Sequence, residues 1–348
     1  MYKLIRSLLF LLPAEKAHET VIYVIKSVKY IPGLLCLLKR ILSVNNKILE
    51  REVFGLTFKN PVGFAAGFDK NAEIFDILDN FGFSFVEIGT VTPKGQLGNP
   101  KPRSFRLKKD NALINRMGFN NDGLPAIIKR LREKDKRTVI VGGNIGKNTA
   151  ASNTDAVNDY LKTFKGLYDY VDYFTVNVSC PNVDNLTLLQ NKTNLEILLK
   201  SLVNERKYMD VYKPILVKIS PDLSFEQIDD TLYIIRETGI DGVVATNTTT
   251  SREGLKTPAK EVKDIGKGGL SGQPLTKRSL EIVRYIHEQT SGKLPIIAVG
   301  GIMTVADAVN MLKAGASLIQ LYTGYIYRGP CFVKKILKTF VKLEIEDI

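Results

Sequence analysis

Histidine is nearly absent: the 348 residues contain two, His18 and His287. Far apart in sequence, they make a histidine-rich metal site or a serine–histidine triad hard to assemble, so no metal is expected and acid–base chemistry must use other groups. The three cysteines, Cys36, Cys180 and Cys331, include no C-x-x-C pair. That speaks against a disulfide framework or a zinc cluster and fits a reducing compartment. No apolar run approaches the roughly eighteen residues that cross a bilayer. Leu8–Leu12 stops at Pro13, and Ile31–Leu38 contains Pro32 and Gly33. A secretory signal is a poor reading of the same region, because Pro13-Ala14-Glu15-Lys16 offers no small-residue cleavage site. No G-x-G-x-x-G opens a helix, and the P-loop-like Gly146-Lys147 has Val141 where the first glycine belongs and Asn148 in place of Ser/Thr. Internal repeats and low-complexity tracts are also missing.

What is present is positive charge and a substantial apolar fraction. At 44% hydrophobic, the chain can build one large barrel-type domain or two smaller ones, and disorder is not expected. The net charge of +13 suits nucleic acid, an anionic membrane or small anionic ligands, and does not choose among them. Residues 1–50 carry eight Lys/Arg against three Glu beside many Leu, Ile and Val. That is the composition of an amphipathic segment lying on a surface.

From residue 62 onward, short β-branched runs alternate with helical patterns: Val62–Ala66, Phe85–Gly89, Val139–Gly143, Phe174–Val178, Ile215–Ile219, Gly242–Ala245, Ile296–Val299 and Leu318–Leu321. Eight near-continuous apolar strands separated by amphipathic helices predict an α/β fold, a (β/α)8 TIM barrel with an N-terminal helical extension. A doubly wound open sheet is the alternative. Lys70, Thr90, Asn144, Asn177, Lys218, Asn247, Gly301 and Thr323 fall at or just beyond strand C-termini, the rim that carries chemistry in barrels. Ahead of the barrel, Val53–Pro61 reads as a hairpin turning at Gly55 and able to plug the barrel bottom. Residues 1–45 are expected to form two helices ahead of a barrel built from residues 46–348. Val21, Ile22, Val24, Ile25 and Val28 share a helical stripe, which suits either a barrel wall or a membrane. Ser251–Gln273, polar and glycine-rich, reads as a mobile loop leading into a ligand-binding turn.

The densest chemistry lies in Tyr173–Asn182, where a buried-type strand runs into amide, hydroxyl, thiol and amide groups. Alternation puts Thr175 and Asn177 on one side, with Cys180 and Asn182 on the turn begun by Pro181. Taken alone, a single cysteine such as Cys180 is more commonly a buried, inert thiol at a polar strand terminus. Gly300-Gly301 and Tyr322-Thr323-Gly324, after the seventh and eighth strands, let backbone N–H groups approach a phosphate. Lys70 and Lys218 could stabilise negative charge on a ring or carboxylate, although strand-end lysines are commonly just solvated. Asn115, Asn177, Asn182 and Asn247 offer donors and acceptors suited to a pyrimidine-dione, while each alone is an ordinary turn former.

Six stretches together resemble the dihydroorotate dehydrogenases over nearly the whole chain. They are Phe64-Ala65-Ala66-Gly67-Phe68-Asp69-Lys70, Glu87-Ile88-Gly89-Thr90-Val91-Thr92-Pro93, Lys101-Pro102-Arg103-Ser104-Phe105-Arg106, Asn115-Arg116-Met117-Gly118-Phe119-Asn120-Asn121, Asn144-Ile145-Gly146-Lys147-Asn148 and Gly268-Gly269-Leu270-Ser271-Gly272. The N-terminal extension, with Ala17-His18-Glu19, is similar to the membrane-associated, quinone-using class 2 branch. The resemblance implies FMN held by Ala66, Gly67, Phe68, Asp69, Lys70, Thr90, Asn144, Asn177, Lys218, Thr246, Gly272, Gly301, Tyr322 and Thr323. It implies dihydroorotate or orotate held by Lys70, Asn115, Arg116, Met117, Gly118, Phe119, Asn177, Asn182, Asn247 and Thr248. Cys180 falls on the position of the base that removes the C5 proton as hydride leaves C6 for the flavin. His18, Arg103 and Tyr322 fall near the tunnel by which ubiquinone or menaquinone reaches FMN. The implied reaction is dihydroorotate oxidation in de novo pyrimidine (UMP) biosynthesis, without nucleic acid as a partner. The implied location is peripheral, on the cytoplasmic face of the cell (inner) membrane.

Two departures stand out. Class 2 members typically carry serine at the base position, and cysteine is the habit of class 1. The usual Pro-Gly-Leu-Arg pattern after the base is replaced around Val183-Asp184-Asn185-Leu186-Thr187, which implies a different closure of the lid over the substrate. A class 1-type enzyme using a soluble acceptor is therefore one alternative. A flavin-dependent tRNA-dihydrouridine synthase is another, disfavoured because only 25 residues follow Thr323 where such enzymes add a helical RNA-binding domain. A non-catalytic membrane or nucleic-acid binding protein would explain the charge but not the strand-end amides.

Overall fold

The protein is seen in a computed structural model that describes residues 2–134, 138–152, 155–179, 181–182, 189 and 191–344. In chain order the strands are β1 (Arg51–Val53), β2 (Leu56–Phe58), β3 (Val62–Phe64), β4 (Phe85–Val91), β5 (Ser104–Leu107), β6 (Ala112–Asn115) and β7 (Ile140–Ile145), then β8 (Tyr173–Asn177), β9 (Ile215–Ile219), β10 (Gly242–Ala245), β11 (Gly269–Gly272), β12 (Ile296–Val299) and β13 (Leu318–Leu321). Eight of them close in parallel in the order β3-β4-β7-β8-β9-β10-β12-β13 and back to β3. These are the eight apolar runs, four of them shifted by one to two residues at an end. Closure excludes the open sheet.

β1 and β2 form the antiparallel hairpin below the barrel, with Arg51 opposite Phe58. Its two-residue turn puts Phe54 at φ 57° and Gly55 at φ 74°, both left-handed, as a tight hairpin requires. Val53 and Phe58 are buried against Phe85, Tyr173, Leu216 and Leu318, which floor the barrel. Two strand glycines make room for this floor. A Cβ on Gly63 would lie 2.3 Å from the Phe85 ring, and one on Gly142 2.3 Å from the Tyr173 ring. Large side chains thus lie across positions that have none.

The N-terminal extension contains three helices rather than two: α1 (Tyr2–Leu9), α2 (Ala14–Val28) and α3 (Leu34–Leu42). Pro13 ends one helix and caps the next, and Gly33, at φ 77°, turns the chain into the third. The predicted stripe on α2 divides. Ile22 and Ile25 are buried against the barrel, whereas Val24 is 54% exposed. Lys26 pairs with Glu73 at 2.7 Å and Lys39 with Asp79 at 2.8 Å, and Lys29 also pairs with Asp76. These pairs fasten α2 and α3 to Glu73 and the 3-10 segment Phe75–Phe81 that follows it.

Residues 251–273 are not the unstructured loop that their composition predicts. They contain a helix, Ala259–Ile265, and β11, which pairs antiparallel with β6 in a three-stranded sheet completed by β5. Leu270 joins Leu107, Ala112 and Ile114 in a satellite core, with Leu255 and Ile265 against it. A few spaced apolar residues suffice for this because the partner surface comes from β5 and β6, which local periodicity does not reveal.

Candidate active site

Inward-facing side chains change character up the barrel. The floor is aromatic and aliphatic. Above it, β4, β7, β8, β9 and β13 contribute Glu87, Asn144, Thr175, Asn177, Lys218 and Gln320, all buried. The period-2 alternation that sets Thr175 beside Asn177 also sets Tyr173 beneath them. Parallel pairing places Asn144 opposite Thr175 and Asn177 opposite Lys218. The amides therefore meet across neighbouring strands.

They are joined by hydrogen bonds. Thr90 Oγ1 donates to Asn144 Oδ1 at 2.5 Å, and Asn177 Nδ2 donates to Thr90 Oγ1 at 2.9 Å and Asn144 Oδ1 at 3.2 Å. Asn247 Nδ2 donates to Asn177 Oδ1 at 3.2 Å and Ser179 Oγ at 3.0 Å. On the far rim, Asn182 Nδ2 donates to Asn115 Oδ1 at 3.2 Å, while Asn182 Oδ1 accepts from the Gly269 N–H at 3.2 Å. Asn115, Asn177, Asn182 and Asn247 converge on one space, as their chemistry suggested. Cys180 and residues 183–188 lie outside the described residues.

That space is a cavity of about 550 Å³. At one end it is bounded by Lys70, Thr90, Asn177, Lys218, Thr246 and Asn247, and at the other by residues of α1, α2 and α3, including Leu9, His18, Val24 and Leu38. Of the residues named from the sequence, Ala66, Gly67, Phe68, Gly272, Gly301, Tyr322 and Thr323 also line it. So do Asn115, Met117, Gly118, Phe119, Asn182 and Thr248. Asp69, Asn144, Arg103 and Arg116 are not in its wall. Asp69 is buried and accepts from the Glu73 and Ile74 N–H groups, so it shapes the turn that carries Lys70. Arg116 points away, donating to the carbonyls of Ile265, Lys267 and Pro102 with its guanidinium over the Phe105 ring.

Arg103 is held behind the wall. Its Nη2 meets Glu15 Oε1 at 2.8 Å, and its Nη1 donates to the carbonyls of Leu97 at 2.5 Å and Asn99 at 2.9 Å. Burial pushes the Glu15 carboxyl up, but bonds from Arg103 and Lys101 outweigh it and leave the group below its ordinary range. The bond thus contributes stability above the ordinary carboxylate pKa and loses it as pH falls through the lower folded-state value. Glu15→Gln is expected to destabilise the fold by about 3 kcal/mol, the lower end for a broken buried pair because Glu15 keeps some exposure. Denaturant titration at neutral pH measures this.

Burial displaces further cavity groups from their ordinary ranges. Burial, with Arg103 nearby, brings the Lys70 ammonium down to about 8, although Glu15 opposes the shift. Burial, and then the Lys70 charge, bring His18 down to about 3, so it is a neutral imidazole, edge-on to Phe68 at 4.7 Å between ring centroids. Tyr322, raised to about 12 by burial, is a neutral phenol donating to the Gly67 carbonyl at 3.3 Å.

Glu87 and Gln320 are the site residues that sequence reasoning missed. Glu87 is fully buried at the barrel centre, and Gln320 Nε2 donates to it at 2.7 Å. Among the described residues nothing donates to the buried Gln320 Oε1, although Gln320 lines the cavity. The available signal was a charged or amide residue inside an otherwise apolar strand, in Phe-Val-Glu-Ile and Leu-Ile-Gln-Leu.

The architecture has close counterparts among solved structures. A crystal structure of DHODH from Eimeria tenella in complex with ferulenol superposes with a TM-score of 0.84 at 36% identity, covering 96% of this chain and 94% of that one. In sequence, a dihydroorotate dehydrogenase (quinone) of Christiangramia forsetii is 53% identical over 337 residues, 97% of each chain. One from Roseiflexus castenholzii is 44% identical over 348 residues, 100% of this chain and 94% of its own. The family model described as dihydroorotate dehydrogenase matches residues 48–343. With its eight-strand barrel, its convergent rim amides and this similarity along nearly all its length, the chain belongs to the dihydroorotate dehydrogenase family.

Proposed function

We propose that the protein oxidises (S)-dihydroorotate to orotate, with FMN as hydride acceptor and a membrane quinone as final electron acceptor, in de novo pyrimidine synthesis. The observation that carries this reading is the continuous cavity joining a polar barrel mouth to an apolar space under three helices. A polar heterocycle and an apolar acceptor can each reach a cofactor between them.

The chain's own residues fit a flavin mononucleotide. Gly301 has φ 72°, and a Cβ there would lie 2.3 Å from Thr276, so backbone alone fits this turn and its N–H groups stay approachable by a phosphate. Thr323 and Ser271, linked at 2.8 Å, add hydroxyls, and the orphaned Gln320 Oε1 offers an acceptor to a ring N–H. When bound, FMN would supply the electron sink that no side chain provides. Lys70 places a cation where the substrate carboxylate would lie, and Asn115, Asn177, Asn182 and Asn247 orient the ring. Cys180 acts as the base toward the C5 proton. His18, neutral throughout the physiological range, and Tyr322 present an uncharged lining to the quinone.

Residues 1–45 form the access segment of this reading and residues 46–348 its catalytic barrel. Leu4, Leu8, Leu11, Tyr23 and Tyr30 are each at least 68% exposed on or beside α1 and α2, and no described helix is long and apolar enough to cross a membrane. Such helices lie in an interface with their apolar faces in the acyl boundary. This supports peripheral attachment, assigned to the cytoplasmic face of the inner membrane.

Steady-state dihydroorotate oxidation with a panel of acceptors tests the proposal. Ubiquinone or menaquinone analogues are expected to sustain turnover, and fumarate and NAD⁺ are not. Efficient turnover with fumarate alone would return the chain to the soluble-acceptor class. The Lys70 ammonium carries its charge below about 8 and loses it above. The KM for dihydroorotate is therefore expected to rise by about tenfold per pH unit beyond that point. A flat KM between pH 7 and 10 would remove Lys70 from carboxylate binding.

A further inference from the structure

We propose that Glu87 is a positioning residue that fixes which end of Asn144, Asn177, Asn247 and Gln320 donates and which accepts, and so sets the hydrogen-bonding polarity of the flavin-facing surface. The inference rests on the flavin reading above.

An asparagine or glutamine side chain is nearly symmetric in shape and opposite in chemistry at its two ends, so something must select its orientation. At the centre of this barrel the selector is Glu87, whose two oxygens accept from Asn144, Gln320, Thr175 and Tyr173. Glu87 Oε2 takes the Asn144 Nδ2 donor at 3.1 Å. Asn144 Oδ1 must then face the other way, where it accepts from Thr90 and Asn177. With Asn177 Nδ2 committed to these partners, Asn177 Oδ1 is left to accept from Asn247 Nδ2, and Asn247 Oδ1 accepts from the Thr248 N–H at 2.9 Å. One oxygen at the bottom thereby dictates the sense of Asn144, Asn177 and Asn247 up to the rim. The other oxygen governs a second branch. Glu87 Oε1 takes Gln320 Nε2 at 2.7 Å, which turns Gln320 Oε1, otherwise without a donor among the described residues, toward the cavity wall. Thr175 Oγ1, at 3.0 Å, and Tyr173 O–H, at 3.3 Å, complete its shell, with Tyr173 also in hydrogen-bond contact with Gln320.

Glu87→Gln keeps the volume and replaces one acceptor by a donor. Asn144 and Gln320 both require an acceptor from position 87, so at least one of them must turn over or lose its bond. Flavin release from the holoprotein, the visible flavin spectrum and the rate of flavin reduction by dihydroorotate are the readouts. Glu87→Gln is expected to accelerate flavin release and slow reduction by about tenfold each, with displaced flavin bands. Tyr173→Phe removes a donor from the same carboxylate and leaves the Asn144 and Gln320 bonds to Glu87 in place, and is expected to stay within about twofold in both rates even where it lowers Tm. The double variant Glu87→Gln/Asn144→Asp exchanges donor and acceptor across one bond. The amide introduced at position 87 then donates to the carboxylate introduced at position 144, and the oxygen of that amide accepts from Gln320. Position 144 still presents an acceptor to Thr90 and Asn177, so most of the loss is expected to be recovered. Wild-type behaviour of Glu87→Gln in all three readouts would overturn the proposal. So would an unrescued double variant together with an equal loss in Tyr173→Phe, which would make Glu87 a structural filler. A wild-type protein that holds no flavin would instead overturn the functional reading beneath it.

Discussion

Cys180→Ala is expected to slow flavin reduction by dihydroorotate by about 10²–10⁴-fold, the usual contribution of a positioned general base. The described neighbours form a suitable setting. Ser179 Oγ accepts from Asn247, and Asn182 is clamped by Asn115 and the Gly269 N–H. The described flanks of position 180, Ser179 and Asn182, are thus tied to amides that line the cavity. A thiol ionises near pH 8.5, far more readily than an alcohol, as an order-of-magnitude comparison. Cys180→Ser should therefore retain activity but move its pH dependence upward, toward the behaviour of relatives that use serine. Stopped-flow bleaching of the flavin across pH separates the cases. An unchanged rate in the alanine variant would remove Cys180 from the reaction.

Removing residues 1–45 is expected to lower quinone turnover by about a hundredfold while leaving flavin reduction within a few-fold of wild type, because binding and orientation of the apolar acceptor are lost and the rim is not. The helices supply the walls of the apolar end of the cavity, with His18, Val21 and Leu38 among its lining. The rim amides, in contrast, are held by one another and by β4, β7 and β8. Arg103 loses Glu15 but emerges into water, so no charge is left buried and unpaired. Stopped-flow reduction by dihydroorotate and reoxidation by a quinone analogue, measured on the same preparation, resolve the two halves. Equal loss in both would make the extension a structural brace. The truncated protein should also cease to sediment with vesicles, since Leu4, Leu8 and Leu11 leave with it.

The barrel was legible because each strand is buried on both faces and therefore reads as an unbroken apolar run, from Val62 to Leu321. The rim was legible because Lys70, Asn177 and Lys218 interrupt or end such runs. Less visible were features whose partners lie far away in sequence. β11 is a strand because β6, more than 150 residues earlier, offers it an edge. α1 is a helix whose termination depends on Pro13 and whose place depends on Arg6 and Tyr2 donating to the Tyr327 and Ile326 carbonyls. Glu87 escaped notice for the opposite reason. A lone acid in an apolar strand is meaningful only once Asn144, Thr175 and Gln320, from three other strands, are seen to surround it. Arg116 shows the converse: its motif suggests ligand contact, and its side chain instead secures the carbonyls of Ile265, Lys267 and Pro102.

The stopper made by Arg51–Phe58 sets a boundary for protein engineering. Shortening the chain up to residue 45 strips away helices and leaves the barrel's lower opening sealed. Eight residues further, the seal itself begins to go: Val53, Phe54 and Phe58 would no longer cover Phe85 and Tyr173, and water would enter from the end opposite the chemistry. A minimal soluble version of this protein should therefore start between the last helix and the first strand, in the short stretch from Ser43 to Glu50.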